Sequence, residues 1–286
     1  MVRTRTEGWT SAIATALVNG ISVDYGDDGV GEPLVLVQGH PFDRSMWRPQ
    51  VDGLSGARWR VITPDLRGYG RSSVVAGKTP LGTFAGDIVA LLDQLGIERF
   101  ALGGLSMGGQ IVMELYRLRP KRVSRLVLAD TSAAAETPDG RQHRYDLADR
   151  LSREGKEVYA REVLPMMIWS ANIEALPDVA GGLLTMMCSA PAEGAAAALR
   201  GRAERPDHRP LLRQVSVPTL VVVGRHDQFT PVRDAEALQR AIPRAEVVVI
   251  DGAARLPNLE RPGEFNAALA RFLRGRGTGA AAPAPE

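Results

Sequence analysis

One stretch near the middle of the chain restricts the possible folds more than any other. Residues 100–103 read as a buried strand, residues 110–119 read as a helix, and between them stands Gly104-Leu105-Ser106-Met107-Gly108-Gly109. A strand that turns into a helix over so few residues needs glycine on both sides of the serine, because a side chain there would collide with neighbouring backbone. Such a turn lifts Ser106 above the end of a sheet with a helix N-terminus beneath it, which is the placement a serine nucleophile requires.

The rest of the sequence supplies that sheet. Short apolar runs at 33–37, 60–63, 100–103, 125–128, 219–223 and 247–250 alternate with segments of helical period. The pattern predicts an α/β fold with a mostly parallel sheet covered by helices on both faces. Phe84, Ile88, Leu91, Leu92 and Leu95 share one helical face, as do Phe265, Leu269, Phe272 and Leu273, and both stripes read as core. Residues 14–27 read as an antiparallel hairpin at the sheet edge. Residues 133–214 are helical in composition and lack strand runs, so they read as an inserted helical cap between core segments 1–132 and 215–276. The Ala/Pro/Gly-rich residues 277–286 read as a disordered tail. The cap carries Met166-Met167 and Met186-Met187 beside Ile168 and Trp169, either as its own core or as an adaptable apolar lid.

Composition removes several classes of function. A net charge of +2 without a basic block gives no footprint for nucleic acid. Cys188 is the one cysteine, so neither an internal disulfide nor a cysteine-based metal cluster can form, and a reducing cytoplasm fits best. The first residues resemble a signal peptide superficially, but their apolar run is short and interrupted by Ser and Thr, so they read as a leader into the first strand. No stretch has the length of a membrane span. The expected partner is a small-molecule substrate, and the expected assembly a monomer or homodimer.

Three further segments carry a resemblance: Gly39-His40-Pro41-Phe42-Asp43-Arg44-Ser45-Met46-Trp47, then Pro64-Asp65-Leu66-Arg67-Gly68-Tyr69-Gly70-Arg71-Ser72-Ser73, then Gly224-Arg225-His226-Asp227 with Thr230-Pro231. Together with the serine turn, the chain resembles the α/β-hydrolase superfamily, within it the enol-lactonases, small-ester esterases and cofactor-free haloperoxidase-like proteins. The resemblance implies an eight-stranded sheet with an inserted cap. It assigns Ser106 as nucleophile, Asp227 as the acid, and the backbone N–H groups of His40 and Met107 as the oxyanion hole. Two positions depart from the family pattern. Gln38-Gly39 stands where His-Gly is usual, and Arg255 stands where the catalytic histidine belongs.

The second departure decides the chemistry. The hydrolytic cycle needs a side chain that accepts and returns a proton near neutral pH, and arginine stays charged. Loss of one triad member costs on the order of 10⁴ to 10⁶ in turnover. A guanidinium in that seat can instead form a fork with Asp227 and hold positive charge beside Ser106. Among the histidines, His40 on the oxyanion loop and His226 beside Asp227 are candidate substitute bases, while His143 and His208 read as solvent-facing. Gln38, Phe42, Gln110, Met166, Trp169 and Met187 are expected to contact substrate. Asp43, Arg44 and Asp65 fit structural salt bridges better than pocket roles. No metal-ligand spacing, Walker loop or dinucleotide fingerprint is present, so no cofactor or metal is expected.

The leading expectation is therefore a cofactor-free, non-hydrolytic step through an enolate or phenolate, such as carbon–carbon bond formation, cyclisation, addition or isomerisation. The resemblance, rather than the residues themselves, implies an apolar, polyketide-like or polycyclic small molecule of secondary metabolism as its substrate. The alternative is an esterase or lactonase with His40 or His226 as substitute base. A third reading is a non-catalytic ligand-binding protein.

Overall fold

The computed structural model describes residues 12–275; the leader and tail expectations fall outside them. Eight strands form one sheet: β1 (Ala12–Val18), β2 (Ile21–Asp28), β3 (Glu32–Val37), β4 (Trp59–Pro64), β5 (Phe100–Leu105), β6 (Val123–Ala129), β7 (Thr219–Gly224) and β8 (Ala245–Ile250). Their order is β1-β2-β4-β3-β5-β6-β7-β8. The pairs β1/β2 and β2/β4 are antiparallel and the others parallel. Every residue of β5 and β7 is buried, as strands covered on both faces must be. The edge hairpin is closed by Asn19 and Gly20, at φ 47° and 76°. Positive φ at both central residues matches the right-handed twist of the strands, so this Asn-Gly pair is the turn signal of the hairpin.

The main helices packed on the sheet are α1 (Arg48–Leu54), α2 (Leu81–Gln94) and α3 (Met107–Leu118). Between β6 and β7 lie α4 (Pro138–Glu154), α5 (Lys156–Met167), α6 (Ser170–Ala175), α7 (Pro177–Ser189), α8 (Ala192–Ala203) and α9 (Arg209–Leu212). The chain then adds α10 (Val232–Ala241), α11 (Pro257–Glu260) and α12 (Pro262–Arg274). Phe84, Ile88, Leu91 and Leu92 of α2 are buried against the sheet, and so are Phe265, Leu269 and Leu273 of α12. Each such side chain contributes about 1.5–3 kcal/mol on leaving water. No helix among the described residues is long and apolar enough to cross a membrane.

One helix crossing positions a cleft residue. Helix α8 runs so close to the loop after β4 that a Cβ on Gly201 would lie 1.7 Å from the Thr79 carbonyl oxygen. Thr79 N–H donates to the Ala197 carbonyl at 2.9 Å across the same contact. The glycine permits backbone-to-backbone contact, and the next residue, Arg202, is thereby carried into the space above the sheet.

His208, expected in solvent, is buried at 2% exposure. Its backbone N–H donates to the Ala133 carbonyl, and its Nε2 lies 2.9 Å from Glu114 on α3, so the ring is drawn under the helical segment. Hydrogen bonds from Arg117 and then His208 hold the Glu114 carboxyl down at about 2 against an ordinary 4.5, with burial opposing. A depressed carboxyl contributes stability above its unfolded pKa and loses it as the pH falls through the folded one. Glu114→Gln should therefore cost about 1.5–3 kcal/mol near neutrality. It should also flatten the loss of stability between pH 4.5 and 2, read from urea unfolding across that range.

Candidate active site

The loops after β3, β5, β6, β7 and β8 meet at the carboxyl ends of the parallel strands, where open α/β sheets place their sites. Ser106 sits between β5 and α3 at φ 59° and ψ −113°, a conformation that a non-glycine residue adopts only when its surroundings force it. The forcing contacts are visible. Ser106 N–H donates to the Ala129 carbonyl at 2.9 Å, and the Thr131 hydroxyl donates to the Ser106 carbonyl at 2.7 Å. A Cβ on Gly108 would meet the Val37 carbonyl oxygen at 2.1 Å, so a side chain there would push α3 off the sheet.

Arg255 occupies the seat predicted for a histidine. Its Nη2 donates to Ser106 Oγ at 2.7 Å, and its Nη1 donates to Asp227 Oδ2 at 2.8 Å and to Thr230 Oγ at 2.6 Å. The guanidinium carbon also lies 5.1 Å from the centre of the Phe229 ring. Asp227 is fully engaged: its Oδ1 accepts from Phe229 N–H at 2.8 Å and its Oδ2 from the Thr230 hydroxyl at 2.6 Å. Both members of the pair are buried, with side-chain exposures of 7% and 0%. Asp130, at the end of β6, is a second buried carboxyl near this pair. Burial and then the Asp227 charge push its pKa well above the usual carboxylate range.

The loop bearing Arg255 is fixed by Glu260, a residue that no motif singles out. Glu260 is 2% exposed. Its Oε1 accepts from Ala254 N–H at 2.8 Å, and its Oε2 accepts from Trp169 N–H at 2.8 Å and Asn172 Nδ2 at 2.7 Å. One carboxylate therefore ties the loop after β8 to the start of α6.

A cavity of about 520 Å³ opens beside Ser106 and Arg255, and His40, Gln110, Met166, Met167, Phe229 and Arg202 are among its walls. His40 is buried; its Nδ1 is 2.7 Å from the Tyr69 hydroxyl and its Nε2 has no protein partner. Burial, then the charges of Arg202 and Arg144, lower its pKa well below 6.5, so the ring is neutral at pH 7. Gln110 Oε1 accepts from Arg202 Nε at 3.2 Å. His143 is exposed yet also lines this cavity.

Several expected contacts lie elsewhere. Gln38 turns its amide onto the Phe42 carbonyl at 2.6 Å and shapes the loop after β3 from within. Phe42 lines a separate hollow with Asp43, Arg44 and Met186. Trp169 stacks on His226 at 4.3 Å between ring centres, and neither residue lines the cavity beside Ser106. Met187 is packed inside the helical segment at 1% exposure. Arg44 bridges Asp24 and Asp65, as expected of structural ion pairs. The residues that sequence reasoning missed, besides Glu260, are Arg202, Tyr69, Tyr159 and Phe229: Tyr69 and Phe229 lie within the segments that carry the resemblance, whereas Arg202 and Tyr159 come from helices without a motif.

With this geometry in view, comparison with other proteins is informative. A family model described as the alpha/beta hydrolase fold matches residues 32–262, and the chain belongs to that family. The 3-oxoadipate enol-lactonase 1 of Acinetobacter baylyi is 31% identical over 240 residues, spanning 81% of this chain and 85% of the relative. A malate-bound thermophilic esterase from Thermogutta terrifontis superposes with a TM-score of 0.88 at 39% identity, over 92% of this chain and 97% of that one. The enol-lactonase of Burkholderia xenovorans LB400 does so at 0.86 and 31%, over 92% and 100%. These relatives favour the ester or lactone alternative over the non-hydrolytic step of the leading expectation.

Two measurements test the geometry. Ser106→Gly should be more stable than Ser106→Ala by about 1–3 kcal/mol, because glycine accepts the positive φ without strain. Asp227→Ala should cost about 3–5 kcal/mol, because it strands a buried guanidinium. Urea unfolding at constant salt reads both.

Proposed function

We propose that the protein hydrolyses small esters or lactones whose leaving oxygen departs as a stabilised anion, an enolate or a phenolate. The observation that carries this reading is the guanidinium of Arg255 bonded to both Ser106 Oγ and Asp227. Arginine cannot take the serine proton. A cation at hydrogen-bond distance does lower the free energy of an alkoxide or oxyanion at that position. The chemistry that survives is one in which anion stabilisation matters most and protonation of the leaving group least.

His40 is the proton acceptor in this reading. When Nδ1–H donates to the Tyr69 hydroxyl, the unpartnered Nε2 carries the lone pair. The Ser106 proton passes to that nitrogen as Oγ bonds to the carbonyl carbon, and the carbon–oxygen bond breaks to release the enolate, which takes the proton back. Water, deprotonated by the same ring, then attacks the acyl carbon; the bond from that carbon to Oγ breaks, the imidazolium gives its proton to Oγ, and the free acid leaves. The N–H groups of His40 and Met107 receive the carbonyl oxyanion. An imidazole of lowered pKa is a weak base, which suits activated substrates alone. The enol-lactonase names among the relatives point to the same class of leaving group.

Turnover of p-nitrophenyl acetate, vinyl acetate and ethyl acetate tests the proposal. The first two should be hydrolysed, ethyl acetate should be slower by about 10³-fold or more, and Ser106→Ala should abolish all turnover. Arg255→His should raise the ethyl acetate rate. Because the base must be neutral, the acid limb of kcat/KM should lie below pH 6.5. Turnover that survives Ser106→Ala would refute the assignment. One observation favours a second reading: Ser106 Oγ is bonded to a guanidinium rather than an imidazole, which also suits an addition or isomerisation at the same cleft. A product of unchanged mass, rather than one heavier by a water, would mark it.

A further inference from the structure

The cavity beside Ser106 is lined by five guanidiniums, those of Arg144, Arg150, Arg202, Arg205 and Arg255. Four of them have carboxylates. Glu136 is shared by Arg144 and Arg205, Glu162 takes Arg150, and Asp227 takes Arg255. Arg202 has none: among the described residues no carboxylate lies within ion-pair distance of it, and its one hydrogen bond runs from Nε to Gln110. Yet Arg202 is 7% exposed, in the company of His40, Tyr69 and Tyr159. Burial and the charges of Arg144, Arg205 and Arg255 all press its pKa down. Arginine nevertheless stays protonated under such pressure. A buried cation without a counter-charge is costly, and chains retain one where a ligand completes it.

We infer that the cleft takes a substrate bearing a carboxylate, and that Arg202, steadied through Nε by Gln110, receives it with its two terminal nitrogens. The planar fork of a guanidinium matches a carboxylate in bidentate geometry. Arg255 is not available for this task, because its nitrogens are committed to Asp227, Thr230 and Ser106. Leu147, Val163, Met166, Met167, Leu199 and Phe229 also line the cavity and suit the organic body of such a molecule, which a bare inorganic anion would leave without contact. Gln110 lies one turn beyond Ser106 on α3, so the charged end of the substrate is registered against the helix that also carries the nucleophile. For turnover this rests on the hydrolase reading; for binding it does not.

Calorimetric titration of the full chain with hexanoate and with hexanamide tests it, repeated in Ser106→Ala so that no reaction intervenes. Hexanoate should bind at least about tenfold more tightly than hexanamide. Arg202→Met should erase that preference while leaving hexanamide binding unchanged. Equal affinity of the wild-type chain for the two probes would overturn the inference without recourse to any variant, and so would a preference that survives in Arg202→Met. Displacement of hexanoate by equimolar inorganic phosphate would overturn it too, since the site would then be a general anion hole. A hexanoate preference in a protein that turns over none of the acetate esters would uphold the carboxylate site and reject the hydrolase reading alone.

Discussion

A single guanidinium bonded at once to Ser106 Oγ and to Asp227 governs this molecule. Such a group holds charge but does not pass a proton near neutral pH, and its surroundings satisfy that charge. Asp227 spends both carboxylate oxygens within the loop and on Arg255, and the Phe229 ring covers the guanidinium carbon. A pair buried this deeply is favourable only when each partner is well satisfied by hydrogen bonds, and here each is. The neighbouring Asp130 makes no ion pair with Arg255: its Oδ1 accepts from Gly224 N–H at 3.0 Å, and burial raises its pKa.

The backbone around the pair shows why the seat is precise. Ser106 is strained into positive φ by its carbonyl and amide contacts on both sides, while the loop after β8 is drawn into place by Glu260. Neither restraint depends on whether residue 255 is histidine or arginine. The elbow and the loop after β8 are held by contacts that do not involve the side chain at 255.

Much of this was legible beforehand because it is local. The serine turn needs its glycines within a few residues, and buried parallel strands need continuous apolar runs, so β3 to β8 and the elbow follow from short windows. Arg255 could be placed because the Gly252 to Pro257 segment keeps the family pattern around it. Arg202 and Glu260 could not be placed, because each acts across the fold from a segment whose own sequence says helix or loop and nothing more; Tyr69 stands in one of the segments that carry the resemblance, but nothing local shows that its hydroxyl meets His40. Trp169 and Met187 misled for the same reason: an apolar side chain near a cleft in sequence has many other surfaces to cover. His208 reads as a surface residue because its neighbours are polar, whereas a carboxylate on α3, 94 positions earlier, draws it inward.

The carboxylate of Glu260 grips both the strand-end loop with Arg255 and the beginning of α6. Displacement of α6 would therefore be felt at the guanidinium through one side chain. The seating of α6 and the aim of that charge at Ser106 Oγ are mechanically linked, so that one cannot drift without loosening the other.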